Sequence, residues 1–245
     1  MNRNHLKIIA CISMLVDHIG YFLFPQIQVL RWIGRIAFPL FAFFIGEGCV
    51  YTSSRKKYHL SVFLLGVGCQ TVYIIEDLIR NGRITFSSDC LFLNILLTFS
   101  LGIFACFTMC DISEAYHKGE RKTVIAGSVI LTVYILSLFA MCTLLWFFRK
   151  QGDSLYFDYG ICGMLLPLSA AVYRDRKLKL MLFTLGVLIY CLVFTYSMPY
   201  VWFSLLSPVL LLFYNGKSGS KKLKYLFYIF YPAHLGIIYL IDFII

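Results

Sequence analysis

From Thr123 to Phe148 the chain runs for twenty-six residues without one charged side chain. A helix of that length spans about 39 Å at ~1.5 Å per residue, more than the roughly 30 Å of a bilayer's hydrocarbon core. Backbone N–H and C=O groups find no water there, so the segment must close its hydrogen bonds internally as a helix. Eight further apolar stretches follow the same logic: 6–24, 30–52, 58–79, 90–110, 155–173, 178–196, 199–214 and 225–245. The sequence therefore predicts an all-α polytopic membrane bundle of about nine transmembrane helices, forming a single integral-membrane domain over residues 1–245.

Composition supports that class. The chain is 60% hydrophobic and only 14% charged, against roughly 25% charged in soluble domains. The net charge of +10 does not point to nucleic acid, because the basic residues lie in short loops between apolar runs. With the N-terminus placed in the cytoplasm, sixteen Lys and Arg fall in inner loops and five in outer ones. That bias predicts an N-in, C-out topology in the inner or plasma membrane. The first stretch carries Asp17 and His18, is too long for a signal peptide and lacks an A-x-A-like cleavage site, so it reads as a retained helix. Nine cysteines are spread along the chain without CxxC spacing, which predicts neither a disulfide framework nor a metal site. Cys106 and Cys110 share a helix face and read as small buried apolar residues.

Ionisable residues inside the apolar runs define where chemistry is expected. An Asp near the bilayer centre costs roughly 2.5–3.5 kcal/mol on insertion scales, so such residues face the interior and mark function. The candidates are Asp17 and His18 in the first stretch, Arg35 and Glu47 in the second, Glu76 and Asp77 in the third, Asp158 in the sixth and His234 in the ninth. Asn94 and Thr98 share one face of the fourth. The fifth and eighth carry no charge and the seventh only Lys179 at its very start, so all three read as lipid-facing scaffold. Together these residues predict a polar cavity open outward, with His18 at its floor, His234 beside it, and an inner arm from Glu47 to the cytoplasmic loops.

Several of these residues also fit structural roles. Asp17 and Arg35 suit a buried ion pair, and Asp77 suits a membrane interface. Asp158, ahead of Tyr159 and Gly160, suits the positive end of a helix dipole. His234 suits a hydrogen bond to backbone freed by Pro232. The run "YNGKSGSKK" (214–222) is a cytoplasmic turn whose lysines also suit a phosphate. For His18 the neighbouring acid can orient and charge-tune the ring.

Seven stretches, in order and covering nearly the whole chain, resemble the TraX family: "MLVDHIGYFLFP" (14–25), "LRWIGRIAFPLFAFFIGEG" (30–48), "SRKKY" (54–58), "LNILLTFSLG" (93–102), "DYGICGMLLPL" (158–168), "LFYNGKSG" (212–219) and "YIFYPAHLGIIYLI" (228–241). The family is named for the conjugation-associated protein that acetylates the N-terminus of F-type pilin. The chain also looks distantly similar to the acyltransferase-3 group. The resemblance implies transfer of an acetyl group from cytoplasmic acetyl-CoA to an acceptor at the outer face, either a pilin-like secreted peptide or a glycan hydroxyl. By motif, His18 is the catalytic histidine with Asp17 and Arg35 as companions. Glu47, Asp158, Tyr231 and His234 match further polar positions, and Glu76 stands as the acid of "QTVYIIEDL" (70–78).

Residue chemistry adds roles within that frame. Acetyl transfer needs a base and a stabiliser of the developing oxyanion. His18 fits the base, polarised by Asp17, and Arg35 the stabiliser. Tyr231 and His234, three apart on one helix face, fit positioning of the thioester or proton donation to the thiolate. Glu76, Asn94, Asp158 and Tyr159, with Glu47, are the expected substrate contacts, and Arg55, Lys56 and Lys57 the contacts to the CoA phosphates. Two rivals belong to other classes: a proton-coupled transporter relaying through Asp17, His18 and Glu47, and a bis-histidine haem protein using His18 and His234.

Overall fold

Pro39 breaks the second apolar stretch in two. In the computed structural model, which describes residues 1–82, 92–149, 156–217, 219–220 and 223–244, this stretch forms α2 (Gln28–Gly34) and α3 (Ala37–Tyr51). A proline has no N–H to offer the carbonyl four residues back, so Arg35 cannot keep its helical bond. The Ser204 hydroxyl donates to the Arg35 carbonyl instead, at 3.0 Å.

The other elements are α1 (Arg3–Phe22), α4 (Arg55–Asn81), β1 (Phe92–Leu93), α5 (Ile95–Lys118), α6 (Arg121–Arg149), β2 (Tyr156–Phe157), α7 (Gly160–Ala171), α8 (Arg176–Phe194), a 3-10 helix (Pro199–Leu205), α9 (Leu206–Leu212) and α10 (Leu223–Ile244). Six helical segments are long and apolar enough to cross a membrane: Arg3–Phe22, Gln28–Tyr51, Arg55–Asn81, Ile95–Lys118, Arg121–Phe147 and Arg176–Phe194. This is a multi-pass membrane protein. Gly160–Ala171, Pro199–Leu212 and Ile229–Ile244 are apolar but shorter. The sixth expected span is cut short because Tyr156 and Phe157 pair in parallel with Phe92 and Leu93, a two-residue ladder that the apolar pattern does not predict. Arg83, Cys90, Lys150, Ser218, Lys221 and Lys222 lie outside the described residues.

The chain divides into two compact units. The first comprises Met1–Phe43 and Arg176–Ile245. Its α1 starts at an Asn2 cap, whose side chain accepts from the His5 N–H at 3.0 Å, and ends just before Pro25. Backbone bonds from Asn215 to the Met1 carbonyl and from Arg3 to the Lys217 carbonyl, both 2.9 Å, tie the start of α1 to the loop after α9. Phe43 packs edge-on against Phe183, and Phe38 against Tyr190.

The second unit, Phe44–Asp175, is held by close backbone approach. A Cβ on Gly102 would collide with the Met164 carbonyl, and one on Gly46 with the Pro167 carbonyl. These glycines let α5 and α3 lie directly on α7. Along α6, Ile125, Val133, Leu136, Phe139 and Phe147 are all exposed. In a membrane chain, that surface is what lipid covers.

Candidate active site

Asp17 and His18 are neighbours on α1, so their side chains leave the helix about 100° apart and meet different partners. Asp17 turns to α2. Its Oδ2 accepts from Arg31 Nη1 at 2.7 Å and its Oδ1 from Arg35 Nη2 at 2.5 Å. Gly34 makes room for this, since a Cβ there would collide with the carboxylate. Arg35 is 3% exposed and Asp17 9%, so the charges are compensated by one another rather than by water. Arg35 also lies over the Tyr200 ring, 5.6 Å from its centroid, and directs Nη1 at the Met198 sulfur at 3.6 Å.

His18 turns to α10. Its Nδ1 lies 2.8 Å from His234 Nε2. The ring centroids are 5.0 Å apart with planes 10° from parallel, so the contact runs edge to edge along the line joining the rings. His234 Nδ1 lies 2.8 Å from the Phe230 carbonyl oxygen. A carbonyl only accepts, so Nδ1 of His234 carries the hydrogen and Nε2 of the neutral ring carries the lone pair. His18 Nδ1 must then donate, which leaves the lone pair of His18 on Nε2, without a protein partner among the described residues. The Phe230 ring stacks on His234 (4.9 Å, 7°), and Tyr231 meets it edge-on (5.9 Å, 89°).

Two expectations are corrected by this geometry. The carboxylate of Asp17 does not orient His18, because it is turned to the two arginines, and the group that fixes the His18 ring is His234. The carbonyl that His234 holds is Phe230's, whereas the one freed by Pro232 is four residues earlier, at Tyr228. His18, Asp17, Arg35, His234 and Tyr231 all belong to the first unit. Arg31, near the start of the second apolar stretch, is not among the expected site residues. Its spacing of four from Arg35, with one acid to share, is the signal that would have found it.

The remaining expected site residues lie in the second unit, and their surroundings differ. Asn94 caps α5: its Oδ1 accepts from Leu96 and Leu97, and its Nδ2 donates to the Gly66 carbonyl at 2.8 Å and to Gln70 Oε1 at 3.0 Å. Every side-chain hydrogen-bonding position of Asn94 is thus taken up by protein. Glu76 pairs with Arg80 one turn on. Asp77, expected at an interface, is 3% exposed and accepts from Asn81 Nδ2 at 2.7 Å. Glu47 is buried. Asp158 donates its backbone N–H to the Leu93 carbonyl at 2.9 Å. Tyr159 caps α7 in the left-handed conformation (φ 57°) with no side-chain cap bond. Arg55 is paired to Asp111 at 2.6 Å and lies over Phe107, while Lys56 and Lys57 are exposed.

Comparison with known proteins adds a second line. The family model "TraX protein" matches residues 2–242. A probable fimbrial assembly protein FimC, serogroup H1, of Dichelobacter nodosus is 27% identical over 266 residues, covering 97% of each chain. An uncharacterized protein of Rickettsia prowazekii is 54% identical over 41 residues, 17% of this chain and 16% of its own. No solved structure matches the chain.

Proposed function

The chain belongs to the TraX family, and from that premise we propose that it is a membrane-embedded acetyltransferase moving an acetyl group from cytoplasmic acetyl-CoA to an acceptor at the outer face of the inner membrane. The observation that carries the reading is the His18–His234 contact at 2.8 Å, which leaves a basic nitrogen on His18 with its ring held from behind. The fimbrial-assembly name of the Dichelobacter nodosus relative favours a pilin-like peptide amine as acceptor over a glycan hydroxyl.

In this mechanism His18 Nε2 takes a proton from the neutral acceptor amine as its nitrogen attacks the thioester carbon. The new C–N bond forms while the carbonyl oxygen gains negative charge, which the guanidinium of Arg35 stabilises. The C–S bond then breaks, and the CoA thiolate leaves with the proton carried by His18. His234 keeps the ring in the required tautomer and Tyr231 braces His234. Lys56 and Lys57 contact the CoA phosphates, with Arg55 as the third basic residue of that first turn of α4. Glu47, Glu76, Asp158 and Tyr159 are the proposed substrate contacts of the second unit. The whole of residues 1–245 acts as one domain, with nine crossings, the N-terminus inside and the C-terminus outside.

The test is acetyl-CoA-dependent labelling of membranes carrying the protein, read by mass spectrometry of the acetylated product. The reading expects His18→Ala to abolish labelling in a protein that still folds. Full activity in that variant sinks it, and pH-gradient-driven uptake without acetyl-CoA would favour the transporter.

A further inference from the structure

A cleft of about 630 Å3 opens in the first unit, lined by Tyr21, Arg31, Trp32, Pro199, Tyr200 and Phe203 among others. On α1 it is lined by Gly20 and Tyr21, two and three residues past His18, about 3–4.5 Å along the axis. Its one cationic lining residue is Arg31. Arg31 and Arg35 share the single carboxylate of Asp17. Arg31 uses Nη1 for Asp17, bonding both the carboxylate and the backbone carbonyl, and lies over the Tyr21 ring at 4.9 Å. Its Nη2 has no protein acceptor among the described residues. The cleft thus joins apolar aromatic walls to a guanidinium edge with an unused donor. That edge suits an anion.

We infer that this cleft receives the amino-terminal end of an acceptor peptide carrying an acidic side chain at its second or third position, bound by Arg31. The inference rests on the acetyltransferase reading above. Arg31 Nη1 sits 3.1 Å from the backbone carbonyl of Asp17, the residue next to His18, so an anion at Arg31 and an amine at His18 are neighbours along the same stretch of α1. Two or three residues of extended chain, at roughly 3.3–3.6 Å each, reach from one to the other. The walls favour a peptide over a sugar. Trp32 and Phe203 stack on each other (5.2 Å, 16°), and Arg35 and Arg31 lie over Tyr200 and Tyr21. One face of each ring is therefore covered, which leaves edges suited to an apolar side chain.

The experiment uses the full chain in detergent with Trp146→Phe and Trp202→Phe, both exposed positions, so that Trp32 reports entry into the cleft. Octapeptides identical except for Glu, Gln or Lys at position two or three are titrated without acetyl-CoA, and calorimetry on the unmodified protein repeats the affinities. At one of the two positions the Glu peptide binds about tenfold tighter than its Gln counterpart, as one charge-assisted hydrogen bond provides, and Arg31→Gln removes the difference. Equal affinities at both positions overturn the inference, as does a preference for Lys. A change in Trp32 emission with oligogalacturonate and none with the peptides overturns it in favour of an acidic glycan. A Glu preference without any acetylation keeps the cleft and overturns acetyl transfer. Acetylation of all the peptides with equal KM keeps acetyl transfer and overturns the acidic preference.

Discussion

Ser204 completes the backbone of Arg35. Its hydroxyl donates at 3.0 Å to the carbonyl that Pro39 leaves without a helical partner. A side chain on the 3-10 helix thereby holds the bend that presents Arg35 to Asp17. Ser204 is fully buried, so Ser204→Ala leaves a buried acceptor unpaired and costs about 1–3 kcal/mol. Thermal unfolding in detergent should show the loss, with Ser204→Thr restoring most of it. Unchanged stability in the Ala variant would mean that water or another donor serves the carbonyl.

His234 is expected to act through its tautomer rather than its size. His234→Ala removes the acceptor facing His18 Nδ1 and should lower acetyl transfer by about 10²–10⁴, the range of a positioned base. His234→Gln offers an amide oxygen at the same edge and should recover part of that rate. Initial rates by mass spectrometry decide it. Equal rates for the two variants would remove the positioning role.

At Gly34 the packing prediction is steric. A methyl group there meets the Asp17 carboxylate, so Gly34→Ala should displace the carboxylate from Arg31 and Arg35 and destabilise the protein by about 1–3 kcal/mol. Gly68, where a Cβ meets nothing within 4 Å, is the control. On α4, Gly68→Ala should stabilise by about 0.5–1 kcal/mol. Chemical denaturation of the two variants should move in opposite directions.

The first turn of α4 holds two kinds of cation. Arg55 is 44% exposed and paired to Asp111, a surface contact worth about 0–1 kcal/mol. Replacing Lys56 and Lys57 together should raise KM for acetyl-CoA several-fold more than Arg55→Ala, with kcat little changed, because ground-state contacts are lost. Indistinguishable KM values would move the phosphate contacts elsewhere.

Topology has its own test. A reporter active only outside the cytoplasm, fused after the last helix, should be active, and one fused in the 172–175 loop before α8 should be silent. The reverse pattern would overturn the N-in, C-out arrangement drawn from the basic loops.

The sequence was most informative where one apolar run held one rare polar residue. Asp17, His18, Arg35 and His234 stood out against hydropathy alone, and the expected place of His234 beside His18 already set α10 against α1. Which partner each took did not follow. Adjacent residues on a helix point apart, and only the course of α2 decides that Asp17 meets arginines and His18 does not. The break at residues 35–36 was written in Pro39, yet nothing in the chain marks Ser204, 169 residues away from Arg35, as its remedy. Asn94 looked like a binding residue because it is an amide in an apolar run. Its role as the cap of α5 depended on where that helix began, the boundary that hydropathy defines least well.

The hydrogen bond between His18 and His234 also limits how many protons the site can hold. Were both rings cationic, two N–H groups would face each other across 2.8 Å, so the pair accommodates one excess proton and no more. On the proposed acetyl transfer, the proton lifted from an acceptor would fill that one place, and a second acceptor could not be deprotonated until the departing thiolate had carried the first proton away.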